Sequence, residues 1–198
     1  MGNLGSVKNA CDFLGLSSKI VSTPEQLDDC TGIILPGVGA FANCMNHLQN
    51  HGFVEPVRSW IERDRPFLGV CLGLQILFSE SEESPGVPGI AVFPGVVRKF
   101  ELKKRLKVPQ MGWNGVRQRQ AESSFFKNVK DGAFFYFVHS YYVDTPETEI
   151  IAGETEYGIT YTSAIAHGRT MAVQFHPEKS QAAGLEILRN FGEVAQLS

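Results

Sequence analysis

Few five-residue stretches restrict a backbone as severely as Gly69-Val70-Cys71-Leu72-Gly73. The apolar run Pro66–Val70 before it reads as a buried strand, and Leu72–Phe78 after it carries a helical pattern. A strand that turns into a helix within one residue needs small residues on both sides of the turn. G-x-C-x-G is that spacing, a nucleophile elbow. Such a turn leaves the central side chain strained and exposed. It also aims the free N–H groups and positive end of the next helix at the sulfur, favouring a thiolate and any oxyanion beside it. Taken alone, the pentapeptide is equally compatible with a small buried hydrophobe, the role of most free cysteines.

Two other segments move the balance toward chemistry. Phe175-His176-Pro177-Glu178-Lys179 closes the apolar run Met171–Phe175, a second buried strand. Side chains at i and i+2 of an extended segment share a face, so Glu178 can meet the His176 ring. Pro177 biases His176 toward extended backbone. A carboxylate orienting an imidazole that deprotonates a nucleophile is triad logic, with sulfur in place of oxygen. The other segment, Ile33-Ile34-Leu35-Pro36-Gly37-Val38-Gly39-Ala40-Phe41, is a strand, a Pro-Gly-x-Gly loop and a helix start. Its glycines permit positive φ and close approach of backbone N–H groups to a ligand. Val38–Gly39 can thus supply one donor of an oxyanion hole and the Leu72 N–H the other. His139 also ends an apolar strand, but only His176 has a carboxylate two residues on.

Composition sets the bounds. At 198 residues, one α/β domain spanning 1–198 is expected, and a net charge of −3 gives no reason to expect nucleic acid. No run of about 18 apolar residues suggests a membrane span, and the N-terminus lacks a secretory layout. The four cysteines (11, 30, 44 and 71) lie far apart with no C-x-x-C, which argues against zinc and a disulfide framework and fits a reducing cytoplasm. Cys44, His47 and His51 share a helix face, but no fourth ligand is evident, so no metal is expected.

Along the chain, a first helix (Val7, Ala10, Cys11, Leu14) capped by Asn3 or Ser6 precedes a short strand at Lys19-Ile20-Val21. Thr23-Pro24-Glu25-Gln26 is a capping box. Strands at 32–35 and 66–70, alternating with helices at 40–50 and 54–63, indicate βαβ units and a parallel sheet. From 90 to 176 the chain is strand-rich, with strands at 95–100, 133–138, 149–153, 157–161, 163–166 and 170–175. A helix, Ala182–Val194, closes it. Glu80–Ser84 reads as a solvated helix end and Lys103-Lys104-Arg105 as an exposed hairpin tip.

Pro36-Gly37-Val38-Gly39, Gly69–Gln75 and His176-Pro177-Glu178 together resemble the class I (triad) glutamine amidotransferases, over essentially the whole chain. Val108–Asn114, Tyr136–Tyr141, Phe175–Ser180 and Met1-Gly2-Asn3-Leu4 are similar to the glutaminase subunits of imidazole glycerol phosphate synthases. The resemblance implies a flavodoxin-like three-layer sandwich around a mostly parallel sheet, and glutamine hydrolysis through Cys71, His176 and Glu178 without a cofactor. It implies that Gln75 and the backbone of His139-Ser140-Tyr141 bind the substrate glutamine. Ammonia would pass to a (β/α)₈-barrel cyclase bound as a heterodimer partner, making imidazole glycerol phosphate in histidine biosynthesis. Trp113, Asn114, Tyr136, Lys179 and Asn3 would face that partner; otherwise Trp113 is a core plug. In the family a first strand precedes Met-Gly-Asn-Leu, so the sheet is expected to lack that strand, and a chain extended upstream to be more soluble. The alternatives are a glutaminase serving another acceptor synthase, a catalytically silent binding subunit, or a cysteine hydrolase of other amides.

Overall fold

The computed structural model describes residues 4–101, 106–120 and 122–196. Asn3 and the Lys103-Lys104-Arg105 tip lie outside the described residues. Helix α1 (Leu4–Phe13) comes first, and β1 (Ile33–Gly37), α2 (Phe41–Asn50), α3 (Val54–Glu62) and β2 (Phe67–Cys71) follow. A single turn, α4 (Leu72–Gln75), leads to β3 (Phe78–Ser81), β4 (Phe93–Lys99), β5 (Gln110–Gly115) and β6 (Arg117–Gln118). The strands β7 (Phe134–His139), β8 (Tyr141–Asp144), β9 (Ile151–Glu156), β10 (Thr160–His167) and β11 (Thr170–Val173) precede α5 (Gln181–Gln196).

The main sheet runs β1-β2-β11-β10-β8-β4-β3, with β9 also on β10 and β6 on β9, while β5 and β7 form a separate ribbon. The resulting three-layer α/β sandwich is the one expected, but its sheet is mixed. Among the described residues, parallel pairing is confined to β1-β2-β11 and β3-β4, and every other pair is antiparallel. The reason is connectivity: parallel neighbours need a long crossover, and the second half has hairpins where the first has helices.

Two cores follow from the alternation of side chains along each strand. Phe67, Ile165 and Ala172 point to the face covered by α2 and α3, against Phe41, Leu48, Val57 and Ile61. Leu68, Val70, Ala164, Met171 and Val173 point to the opposite face, against Ala10 of α1 and Ile187, Leu188 and Phe191 of α5. The continuously apolar Phe67–Val70 and Met171–Val173 are buried on both sides, as parallel strands between helical layers must be.

Four local expectations are corrected. Residues 19–21 form no strand, because a strand needs a hydrogen-bonding neighbour about 4.8 Å away. Ile20–Val21 and Ile33–Leu35 instead stand in the wall of one groove of about 800 Å³, shared with Val7, Cys11 and Phe191. The elbow helix stops at Gln75. The Ile76 and Leu77 carbonyls accept the N–H groups of Ile90 and Val92 at 2.7 and 2.8 Å, which draws the chain into β3. Glu80–Ser84 is not a solvated helix end: Glu83 Oε2 accepts the Phe41 N–H at 2.8 Å and Ser84 Oγ that of Ala42 at 3.2 Å, capping α2 from outside. Segments 157–161 and 163–166 do not form two strands. Tyr157–Ile159 is the hairpin turn, and a bulge near Ser163 lies within one continuous β10.

Candidate active site

Cys71 ends β2 and has φ 57°, the left-handed region that side chains with a Cβ avoid. Its flanking glycines are compelled by contact. A Cβ on Gly73 would stand 2.0 Å from the Leu35 carbonyl oxygen, and one on Gly69 would stand 2.5 Å from the Gly73 oxygen. The elbow can therefore lie flat against β1 only with hydrogen at both positions. In the β1–β2 register Gly37 is paired with Cys71, so the loop carrying Val38 and Gly39 leaves the sheet beside the sulfur. Because α4 is one turn long, its dipole is a smaller influence on the sulfur than a full helix would be.

His176 follows β11, the strand that pairs with β2 on the side away from β1, so sheet order alone brings it to Cys71. The imidazole interacts with the Cys71 side chain, which favours the charged form of the ring. Its Nδ1 donates to Glu178 Oε1 at 2.9 Å, and both side chains are only 1% exposed. The expected contact two residues apart is realised, but not by an extended segment: His176 alone is extended, and Pro177–Lys179 form a short 3₁₀ turn in which the Lys179 N–H donates to the His176 carbonyl at 3.0 Å. Its backbone is anchored as well: the His176 N–H donates to the Tyr136 carbonyl at 2.9 Å and Ser180 Oγ donates to the His176 carbonyl at 2.6 Å. Burial pulls the imidazole pKa down, but the bonds to Cys71 and Glu178 outweigh it and hold the ring at about 9.

His139 is the opposite case. Burial, opposed by the bond between Nδ1 and the Tyr141 carbonyl and aided by the charge of His176, pushes its pKa to about 4. That bond is 2.7 Å long, and Nε2 lies 3.2 Å from the Tyr161 hydroxyl, so both ring nitrogens are occupied inside the fold. A ring held neutral and tied at both nitrogens is poorly placed to be a base. The two displacements set a pH dependence of stability, since an unfolded histidine titrates near 6.5. The contribution of His176 is complete below about pH 6.5 and is lost as pH rises through about 9. That of His139 is present above about pH 6.5 and is lost as pH falls toward about 4. Thermal unfolding should therefore peak between these limits, and His139→Gln should flatten the acid side alone. An unchanged acid limb in that variant would refute the assignment.

Gln75, at the end of α4, is buried. Its Nε2 donates to the Tyr141 carbonyl at 3.1 Å and to Gln174 Oε1 at 3.0 Å. This ties the elbow to the His139-Ser140-Tyr141 backbone, so the four residues expected to bind substrate do come together. Gln174, Tyr161 and Gln110 went unrecognised in the sequence. Gln174 left a usable signal, a lone polar side chain inside the apolar run 171–175. Tyr161 and Gln110, whose side chains are joined by a 3.0 Å bond, left none.

On the outer face of the β5–β7 ribbon, Trp113 opposes Tyr136 with rings 6.2 Å apart, and the Lys179 ammonium lies 5.8 Å from the Tyr136 ring centre. Trp113 is 46% exposed and so is not a core plug. Met111 and Phe134, unnoticed in the sequence, extend this apolar face at 66% and 62% exposure. The Asn114 amide is spent within the protein, donating to the Glu156 carbonyl at 2.8 Å and accepting the Gly115 N–H at 2.8 Å. His47 and His51 stack at 4.1 Å, and among the described residues no three metal-ligating side chains gather.

The sequence model of the class-I glutamine amidotransferases matches residues 3–194. The imidazole glycerol phosphate synthase subunit HisH of Moorella thermoacetica is 47% identical over 196 residues, spanning 99% of this chain and 92% of the relative. The protein of the same name from Syntrophotalea carbinolica is 44% identical over 199 residues, with 98% and 96% covered. Among solved structures, one described as a glutamine amidotransferase superposes with a TM-score of 0.75 at 20% identity, covering 98% of this chain and 95% of the other. The glutaminase domain of Trypanosoma brucei CTPS with bound acivicin gives 0.66 at 18% identity, covering 96% and 86%.

Proposed function

This chain belongs to the class-I glutamine amidotransferase family, and on that premise we propose that it is the glutaminase subunit of an imidazole glycerol phosphate synthase, working through Cys71, His176 and Glu178. The observation that carries the reading is that the His176 ring, bonded to Glu178 at 2.9 Å, also interacts with the Cys71 side chain. His176 Nε2, the nitrogen not bonded to Glu178, holds the proton of the Cys71 thiol while the sulfur attacks the side-chain amide carbon of glutamine. The Leu72 N–H and the Val38–Gly39 peptide stabilise the tetrahedral oxyanion. Collapse breaks the C–N bond, His176 returns the proton to the departing nitrogen, and ammonia leaves a γ-glutamyl thioester. Water, deprotonated by His176, then releases glutamate and restores the thiol. Both amide hydrogens of Gln75 are committed, so the atom it offers substrate is Oε1, an acceptor suited to an α-ammonium.

Ammonia passes to a (β/α)₈-barrel cyclase seated on the face formed by Met111, Trp113, Phe134 and Tyr136, for histidine biosynthesis. That face is apolar, rich in aromatic residues, and joined directly to the triad through the bond from the His176 N–H to the Tyr136 carbonyl. Val38 and Gly39 are exposed and a Cβ on Gly39 would meet nothing within 4 Å, so their peptide has room to turn. Partner binding selects the orientation that donates to the oxyanion, which makes glutamine hydrolysis low without the partner. Turnover measured with and without the barrel protein and its nucleotide tests this; equal rates would overturn it. Trp113→Ala should weaken the complex by about 2 kcal/mol, roughly 30-fold in Kd by calorimetry. An unchanged Kd would remove the face from the interface.

A further inference from the structure

We propose that Gln174 is a positioning residue that couples the glutamine-binding side chain Gln75 to the Cys71 sulfur, an inference that rests on Cys71 being the nucleophile. Gln174 is fully buried at the end of β11, and its backbone N–H donates to the Ser163 carbonyl at 2.8 Å, so its position is set by the sheet. The direction of its amide follows from its neighbours. The Tyr141 carbonyl only accepts, so the Gln75 nitrogen must face it. The same nitrogen then donates to Gln174, which requires the oxygen of Gln174 to face Gln75. That leaves Gln174 Nε2 turned toward Cys71 Sγ, 3.6 Å away.

The result is one directional chain, with Tyr141 carbonyl accepting from Gln75, Gln75 donating to Gln174, and Gln174 donating to the sulfur. Neither glutamine side chain is charged, so the two amides themselves add no desolvated ion and no competing titration. Two jobs are joined in one amide. Its oxygen holds Gln75 in the orientation that presents an acceptor to substrate, and its NH₂ supports negative charge on sulfur and orients the lone pair used in attack. His176, two residues on, also interacts with the sulfur, so Gln174 and His176 both act on it.

Two substitutions separate the jobs. Gln174→Met removes both groups at similar volume, whereas Gln174→Glu keeps an acceptor for Gln75 and loses the NH₂. With the partner-bound enzyme, Gln174→Met should lower kcat for ammonia release about 10- to 100-fold, the range a hydrogen bond to a charged group supports, and raise KM for glutamine several-fold. Gln174→Glu should lower kcat at least as much, increasingly so as pH rises, with KM within about two-fold of the parent. Alkylation of Cys71 by iodoacetamide, which does not use the glutamine site, should slow in both.

A purely structural role would move neither the kcat against KM split nor the alkylation rate. Unchanged kcat and alkylation in Gln174→Met would overturn the proposal. So would equal KM increases in the two variants. Should Gln174→Met fail to fold, as judged by thermal unfolding, the pH profile and alkylation rate of Gln174→Glu decide alone. Cys71→Ala assayed in parallel separates the two levels. Glutaminase activity there close to the parent's sinks the nucleophile assignment and this inference with it, while a Cys71→Ala reduced by the expected about 10⁴-fold beside an unimpaired Gln174→Met sinks only the inference.

Discussion

Cys71→Ala is expected to abolish ammonia release from glutamine, by on the order of 10⁴-fold or more, while imidazole glycerol phosphate synthesis from added ammonium salts with the barrel partner proceeds at the parent rate. The size of the effect follows from chemistry: without the sulfur no thioester forms, and what remains is water attack aided only by the oxyanion donors. Its selectivity follows from structure. The elbow owes its shape to Gly69 and Gly73 lying against neighbouring backbone, and an alanine Cβ at position 71 already has its counterpart in cysteine. The fold, the outer face of the β5–β7 ribbon and the route for ammonia should all survive. Alkylation of the parent by a glutamine-like chloroketone should occupy Cys71 and reproduce the same split. If ammonium-dependent synthesis fell together with glutaminase activity, the residue would be acting on assembly rather than on hydrolysis.

The second large effect is on stability. Gly73→Ala places a Cβ 2.0 Å from the Leu35 carbonyl oxygen, a collision of backbone-fixed atoms that no rotamer relieves. Relief requires the elbow to lift from β1, breaking the register that pairs Leu35 with Gly69 and Gly37 with Cys71. The expected loss is about 4 kcal/mol or more, lowering the unfolding temperature by roughly 8–16 °C for a chain of this size. Gly5→Ala is the matched control. It lies in α1 with nothing within 4 Å of an added Cβ, and should stabilise by up to about 1 kcal/mol. Opposite signs from the same chemical change would show that the elbow, and not glycine content, is what matters. A Gly73→Ala protein as stable as its parent would mean that β1 and the elbow are not packed as described.

How much of this was legible beforehand depended on the range over which each feature is encoded. Cys71 and its two glycines, and His176 with Glu178, are short-range patterns whose spacing reflects two tight local turns, although the second is a 3₁₀ turn and not the extended segment expected. Buried strands at 66–70 and 170–175 were equally readable, because runs apolar on both faces have little other use. The strand expected at 19–21 failed because strand formation requires a neighbour that residue pattern cannot guarantee. The single turn of α4 failed as a longer helix because carbonyls at 76 and 77 are captured by residues 90–93, a competition invisible in Leu72–Phe78 alone.

Sequence by itself singled out the thiol, imidazole and carboxylate proposed for the site and the short segments that hold them, since steric demands within five residues admit few solutions. Only the tertiary structure decided the order of the strands, the Gln75–Gln174–Cys71 link and the outward aromatic face. The link joins groups 99 and 103 residues apart and the aromatic face pairs Trp113 with Tyr136 across a separate ribbon; each depends on strand pairing, and nothing local to either end records the other.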